Sequence, residues 1–266
     1  MRHRTRPAHG RTLAVAGGAA ALVLLAATGA HAEGRGDVRV TKTVVNGGKN
    51  VIVGTSKTIR FPVAITIKDN SGVKGLTHAS TYYAYGAEGG GFAGWDATAC
   101  KKKSSTTSVC TATMSIVPAW IPGYSDADSN KAAGVWQVNA TVKANDGDYW
   151  ISDNIARYKV KRASILTTVI KPEKVAKGTK ITVAGSLTRA NWETLKYHGF
   201  TGQSVQLQFK KKGTARYTTV KTVKTGSAGK IGTKVTATAA GSWRWYFPGT
   251  TTTARVTSAG DAVTLK

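Results

Sequence analysis

The sequence is poor in the residues on which catalysis usually depends. Of 266 residues only 2 are cysteine, 5 are histidine and 13 are acidic. His3, His9 and His31 fall in the first stretch of chain, which leaves His78 and His198, each isolated in sequence. Neither stands in an HExxH-type spacing, and no GxSxG elbow is present to carry a nucleophilic serine. Beyond Ser164 the only acids are Glu173, Glu193 and Asp261, too scattered to work as a carboxylate pair. No CxxC motif is present either, which argues against a zinc site or a dithiol centre. Together these absences predict a noncatalytic protein.

Long apolar runs are equally scarce. One, Leu13 to Ala27, follows Arg2, Arg4, Arg6 and Arg11 and precedes Ala30-His31-Ala32. A basic start, a short apolar core and a small-x-small end form the pattern of a cleaved export signal over residues 1–32. The run is too short for the ~20 residues that cross a bilayer, and nothing later replaces it, so no transmembrane segment is expected in the mature chain. The expected product is therefore secreted, extracellular or associated with the cell wall. In that compartment Cys100 and Cys110 are expected to form a disulfide, contributing roughly 2–3 kcal/mol through so short a loop.

What the chain does have is alternation. In Thr58–Lys68, Ile59, Phe61, Val63, Ile65 and Ile67 share one face; in Gly134–Val142, Trp136, Val138, Ala140 and Val142 do the same. Asp69-Asn70-Ser71-Gly72 and Asp146-Gly147-Asp148 punctuate these runs as turns. Seven such strands between residues 38 and 162 predict an immunoglobulin-like sandwich. Residues 164–266 repeat the plan around a four-strand meander, Gln203–Phe247, with a short helical turn expected at Asn191–Tyr197. The fold class expected is all-β: two tandem immunoglobulin-like β-sandwiches.

Particular strings carry a resemblance. In the second half, "VAKGTKITVAGSL", "QSVQLQFKKKG", "TGSAGKIGTKVTATAAGSWRWYFPGT" and the final "SAGDAVTLK" are similar to bacterial Ig-like modules of secreted actinobacterial proteins. "KDNSGVKG" and "GVWQVNATVKANDGDYW" in the first half resemble another exported Ig-like unit from the same bacteria. The resemblance implies location and architecture and little chemistry, the family being largely uncharacterised.

Charge supplies the first candidate site. Without the four basic residues of the signal, 34 Lys+Arg face 13 acids, a balance of +21. Glu33–Ala163 holds 17 basic and 10 acidic residues, whereas Ser164–Lys266 holds 17 and 3, or +14. Lys210, Lys211, Lys212 and Arg216 cluster about one hairpin, with Lys221 and Lys224 following, and such a field attracts polyanions. An anionic polymer of the cell envelope or matrix is the expected partner. The competing reading is that these lysines keep a β surface soluble.

A calcium site is the second candidate. If the turns after the second and sixth strands share one end of the sandwich, Asp69 and Asn70 approach Asp146, Asp148 and Asp153. Such oxygen ligands suit Ca²⁺, although Asp and Asn are also simply good turn formers. No other cofactor is expected. An adhesive or protein-recognition surface protein, calcium-stabilised, is thus the alternative function. Arg35-Gly36-Asp37 spells an adhesion tripeptide, too short a match to carry weight. Tyr83, Tyr85, Phe92 and Trp95 could stack on glycans or merely cover the open end of a core.

Overall fold

The alternating runs become strands with one buried face, arranged in two units, each with its own hydrophobic core. The computed structural model describes residues 32–83, 93–123 and 129–266. All of the expected export signal but Ala32 lies outside the described residues, as do Tyr85 and Phe92. The described chain is all-β, with 64% of residues in strands and no α-helix among them. No helix of the described residues is long and apolar enough to cross a membrane.

The first unit contains β1 (Ala32–Arg35), β2 (Arg39–Val45), β3 (Val51–Val53), β4 (Ile59–Lys68), β5 (Val73–Tyr83), β6 (Ala93–Lys102), β7 (Thr107–Ile116), β8 (Gly134–Ala144) and β9 (Tyr149–Arg162). One layer runs β2-β4-β7-β6 and the other β5-β8-β9, joined at the single pair Thr81↔Ala93. The free edge of β9 takes β1 antiparallel along one half and β3 parallel along the other. The chain therefore changes layers between β2 and β3, and Pro62 shows how. β2 ends at Val45 opposite Val63, one residue short of Pro62, so the missing N–H faces an edge that β2 has already left. Phe61, Trp136 and Tyr158 fill the core, and the Tyr158 hydroxyl shares a 2.6 Å hydrogen bond with Thr81 Oγ1. Cys100 and Cys110 sit opposite each other on β6 and β7 and are joined by a disulfide.

The second unit contains β10 (Ser164–Leu166), β11 (Val169–Lys171), β12 (Lys174–Val175), β13 (Lys180–Asn191), β14 (Lys196–Gly199), β15 (Ser204–Lys211), β16 (Thr218–Lys224), β17 (Lys230–Thr236), β18 (Gly241–Phe247), β19 (Val256–Thr257) and β20 (Asp261–Leu265). β10 and β11 pair with β13, which also pairs with β17; the facing layer is β12-β20-β18-β15-β16. The layer change recurs here: β11 is antiparallel to β13, whereas β12 is parallel to the last long strand, β20. A first strand split between two layers, its second part parallel to the final strand, is shared by both units. With the Greek-key pairing, this makes each an immunoglobulin-like sandwich. Trp243, Trp245 and Phe247 of β18 point inward, and Trp245 Nε1 donates to the Ala184 carbonyl.

Three local expectations change. Among the described residues the first unit has nine strands rather than seven, because β1 and β3 are too short and too exposed or isolated to show a periodic run. The stretch Gln203–Phe247 is not a four-strand meander: β17 leaves it to pair with β13 in the facing layer, and β18 returns to pair with β15. Asn191–Tyr197 is a hairpin turn between β13 and β14, not a helical one. Asn191 Oδ1 accepts the amides of both Glu193 and Thr194, which closes the turn at the side chain instead of propagating a helix.

That turn joins the two units. Trp192 is fully buried and belongs to the core of the first unit, with Nε1 donating to the Gly54 carbonyl at 3.1 Å. Asn130 locks it: its Oδ1 accepts the Trp192 amide and its Nδ2 donates to Asn191 Oδ1. On the other side Arg162, 6% exposed, donates through Nε to the Ala190 carbonyl, and its backbone bonds to Thr252 and Ala254. The connection at Ala163 is thus a packed joint, not a loose tether.

Candidate functional site

Among the described residues two surface features bring functional groups together, and they lie on different units. The first is the outer face of the β16-β15-β18-β20 layer. Val205, Leu207 and Trp243, Trp245 face the core, so alternation forces Gln206, Gln208, Lys210, Arg244 and Tyr246 outward. Tyr217, from the hairpin between β15 and β16, lies over this face. The Arg244 guanidinium stacks 3.8 Å from the Tyr217 ring centroid, and Lys210 Nζ lies 5.2 Å from it. Tyr217 is fixed by its hydroxyl, which donates to Ser242 Oγ at 3.0 Å; Arg244 is fixed by Nε, which donates to Gln208 Oε1 at 2.9 Å. Two cations are thus held beside one aromatic ring, with most of the guanidinium donors still available to a ligand.

Lys211 and Lys212 stand exposed at the start of the hairpin, where Lys211 accepts Thr214 Oγ1–H at its carbonyl and the Lys212 amide donates to Ala240. A groove of about 490 Å³ runs between this hairpin and β20, floored by Gly241 and Ser242. Gly241 has to be glycine, since a Cβ there would meet the Phe209 ring at 2.6 Å. Arg216 is exposed in the same hairpin. Two of the residues expected in this patch lie elsewhere. Lys221 crosses the open edge of the sandwich and donates to Thr233 Oγ1 of β17. Lys224 pairs with Ser204 at the far end of β16, about 20 Å along the strand from the hairpin. Arg244 is not legible as a member of this patch, because nothing local in "SWRWYF" says that its arginine meets a tyrosine 27 positions earlier.

Two of the three acids of this unit have their carboxylates engaged away from that face. Asp261 accepts the Ile170 and Ala262 amides, and Glu193 accepts the Asn130 amide at the joint. Glu173 sits between β11 and β12, where its carbonyl accepts the Thr264 amide.

The second feature is the end of the first unit where three turns converge. Asn145 donates from its amide to the Gly72 carbonyl and from Nδ2 to the Ser71 carbonyl, and the Asp146 amide donates to Ser71 Oγ. These bonds lace the β4–β5 and β8–β9 turns together. The link from β1 to β2 crosses them, with the Asp37 amide donating to Asp148 Oδ2 at 2.9 Å. One carboxylate oxygen from each of Asp37, Asp69 and Asp148 lies within 4.8 Å of the others. Desolvation first, and then Asp69 beside it, hold the Asp37 carboxyl above its ordinary 3.8, while the Asn70 amide pulls the other way.

The structure therefore brings Asp69 and Asp148 together and adds Asp37, which sequence reasoning had left inside the Arg35-Gly36-Asp37 tripeptide. Asp146 accepts the Asp148 amide, and Asn70 contributes its backbone amide to Asp37. Asp153 is not part of the cluster: it lies on β9 where its carbonyl accepts the Tyr82 hydroxyl. The side chain of Trp95 lies outside the described residues, as do Tyr85 and Phe92.

No protein-family model matches this chain, and no curated protein does. Among solved structures it is similar to the D00-D0 domain of intimin, at 13% identity and a TM-score of 0.28, over 84% of this chain and 100% of that one. It is similar to the Yersinia pseudotuberculosis adhesin InvE at 13% identity and 0.28, over 87% and 61%. Domains A168–A170 of titin match at 8% identity and 0.25, over 86% and 66%. Scores this low carry no argument about function, and the fold assignment rests on the strand pairing above.

Proposed function

We propose that this is a noncatalytic binding protein of the cell exterior, and that the second unit associates with anionic polymers of the envelope or matrix. The observation that supports the reading is the pairing of Lys210 and Arg244 about Tyr217 on a sheet face whose unit holds 17 basic and 3 acidic residues. An immobilised guanidinium offers paired donors to phosphate, sulfate or carboxylate, and less ordering is needed on binding than for a free side chain. The flat, open face suits an extended polymer better than a small molecule, and the adjoining groove gives that polymer a track past Lys211 and Lys212. Attraction of this kind releases counterions, so it is strongly salt-dependent.

The test is binding of the mature chain to heparin, wall teichoic acid and single-stranded DNA across a salt series. Arg244→Ala and Lys210→Ala are each expected to flatten the salt dependence, by roughly 0.7 of a unit of log–log slope per lost contact with single-stranded DNA. Lys221→Ala and Lys224→Ala, off the face, should change it less. If all four single variants weaken binding equally, the charge acts as a diffuse field and the face is not a site.

A further inference from the structure

Asp69 is 2% exposed, and its two carboxylate oxygens have different fates. Oδ1 accepts the Ser71 amide at 2.7 Å and the Ser71 hydroxyl at 2.6 Å. Oδ2 is buried with no hydrogen-bond partner. A buried carboxylate oxygen without a donor is costly, and here it stands in a group that also brings the oxygens of Asp37 and Asp148 within 4.8 Å. Three like charges at that separation repel unless a proton or a cation lies among them. Arg39 and Lys68 line the same cleft, but among the described residues neither bonds to these carboxylates: the Arg39 guanidinium donates through Nη1 to the Gly36 and Val38 carbonyls.

We propose that Asp37, Asp69 and Asp148 bind a hard divalent cation, Ca²⁺ by ligand chemistry, and that the ion fastens the N-terminal arm to the first sandwich. Three carboxylates and no nitrogen or sulfur donor select for an oxygen-loving ion, and ligands drawn from separate turns suit the adaptable shell of Ca²⁺ better than the strict octahedron of Mg²⁺. Two of the ligands are preorganised, since the turns that carry Asp69 and Asp148 are laced together through Asn145 and Ser71. The third arrives with the arm. Gly36, at φ +80°, lets the chain pass directly over Asp148, where any Cβ would overlap the Asp148 carboxylate. β1 is exposed along its whole length and pairs with β9 over four residues, so a metal at Asp37 adds an anchor beside it. The inference does not depend on polyanion binding by the other unit.

The experiment is a CaCl2 titration of the chelator-stripped mature chain, read by melting temperature and by amide exchange of residues 34–38, with MgCl2 and ionic-strength-matched NaCl in parallel. At an affinity of ~0.1–1 mM, the range of extracellular modules, ~10 mM Ca²⁺ should raise the melting temperature by about 3–10 °C and slow exchange in the arm. Mg²⁺ should do less and NaCl nothing. Asp69→Asn keeps the acceptor for Ser71 and should lose both responses; Asp37→Asn, at an exposed position, should lose them too and decides the matter if the Asp69 variant does not fold. Calcium responses that are missing in the natural chain, reproduced by NaCl, or retained in Asp37→Asn would overturn the proposal; the first would mean that a shared proton, not a metal, holds the carboxylates together.

Discussion

Replacing Trp192 with alanine should uncouple the two sandwiches. The side chain is fully buried in the core of the other unit, so truncation removes roughly 200 Å² of apolar contact, or about 5 kcal/mol at 25 cal/mol per Å². A compact unfolded chain lowers that figure by a tenth or more, and measured Trp→Ala changes in cores run about 3–5 kcal/mol. The Gly54 carbonyl loses its donor as well, although at an opened joint water can replace it. We therefore expect a loss of about 3–5 kcal/mol, concentrated in the coupling between units. The assay is differential scanning calorimetry of residues 33–266 beside the Trp192→Ala variant. The natural chain should melt in one transition, and the variant in two, with its solution radius of gyration increased. A second variant, Asn130→Ala, removes the bonds to Asn191 and to the Trp192 amide, and should shift the chain the same way by about 1–3 kcal/mol. A Trp192→Ala protein that still melts in a single transition, within about 1 kcal/mol of the parent, would refute the joint as a source of coupling.

The alkaline limb of stability should report Tyr158. Burial raises its hydroxyl well above the ordinary 10.0, so above that pH the unfolded chain has shed a proton that the folded chain keeps, and stability falls as pH rises, by about 1.4 kcal/mol per unit. Tyr158→Phe should flatten that limb in denaturant titrations between pH 9 and 12, after an initial cost of about 1 kcal/mol for the lost Thr81 bond. Gly36→Ala should free the N-terminal arm, seen as fast amide exchange over residues 34–38 with the rest of the first unit unchanged, because both its positive φ and the Asp148 carboxylate oppose a side chain. Replacing Cys100 and Cys110 together with serine should cost about 2–3 kcal/mol in chemical denaturation and leave polyanion binding unaltered, since the disulfide lies on the other unit.

Strand identity was decided locally. Ile59 to Ile67, Trp136 to Val142 and Val205 to Phe209 each present apolar side chains at every second position, and that spacing can bury only one face of an extended chain. The turn residues Asp69–Gly72 and Asp146–Asp148 were legible for the same reason, and the bias of 17 basic to 3 acidic residues after Ser164 needs no structure at all. Neighbourhood is different. Asp37 reaches Asp69 and Asp148, Arg244 reaches Tyr217, and Trp192 leaves its own unit for another core, each through strand order and register that no short window contains. Likewise Lys221 looks like a member of the basic patch until the bulge after Leu207 and the edge position of β16 turn it toward β17. Period and composition are properties of consecutive residues, whereas a site is a set of atoms brought together by pairing between distant ones, and only the tertiary structure decides that.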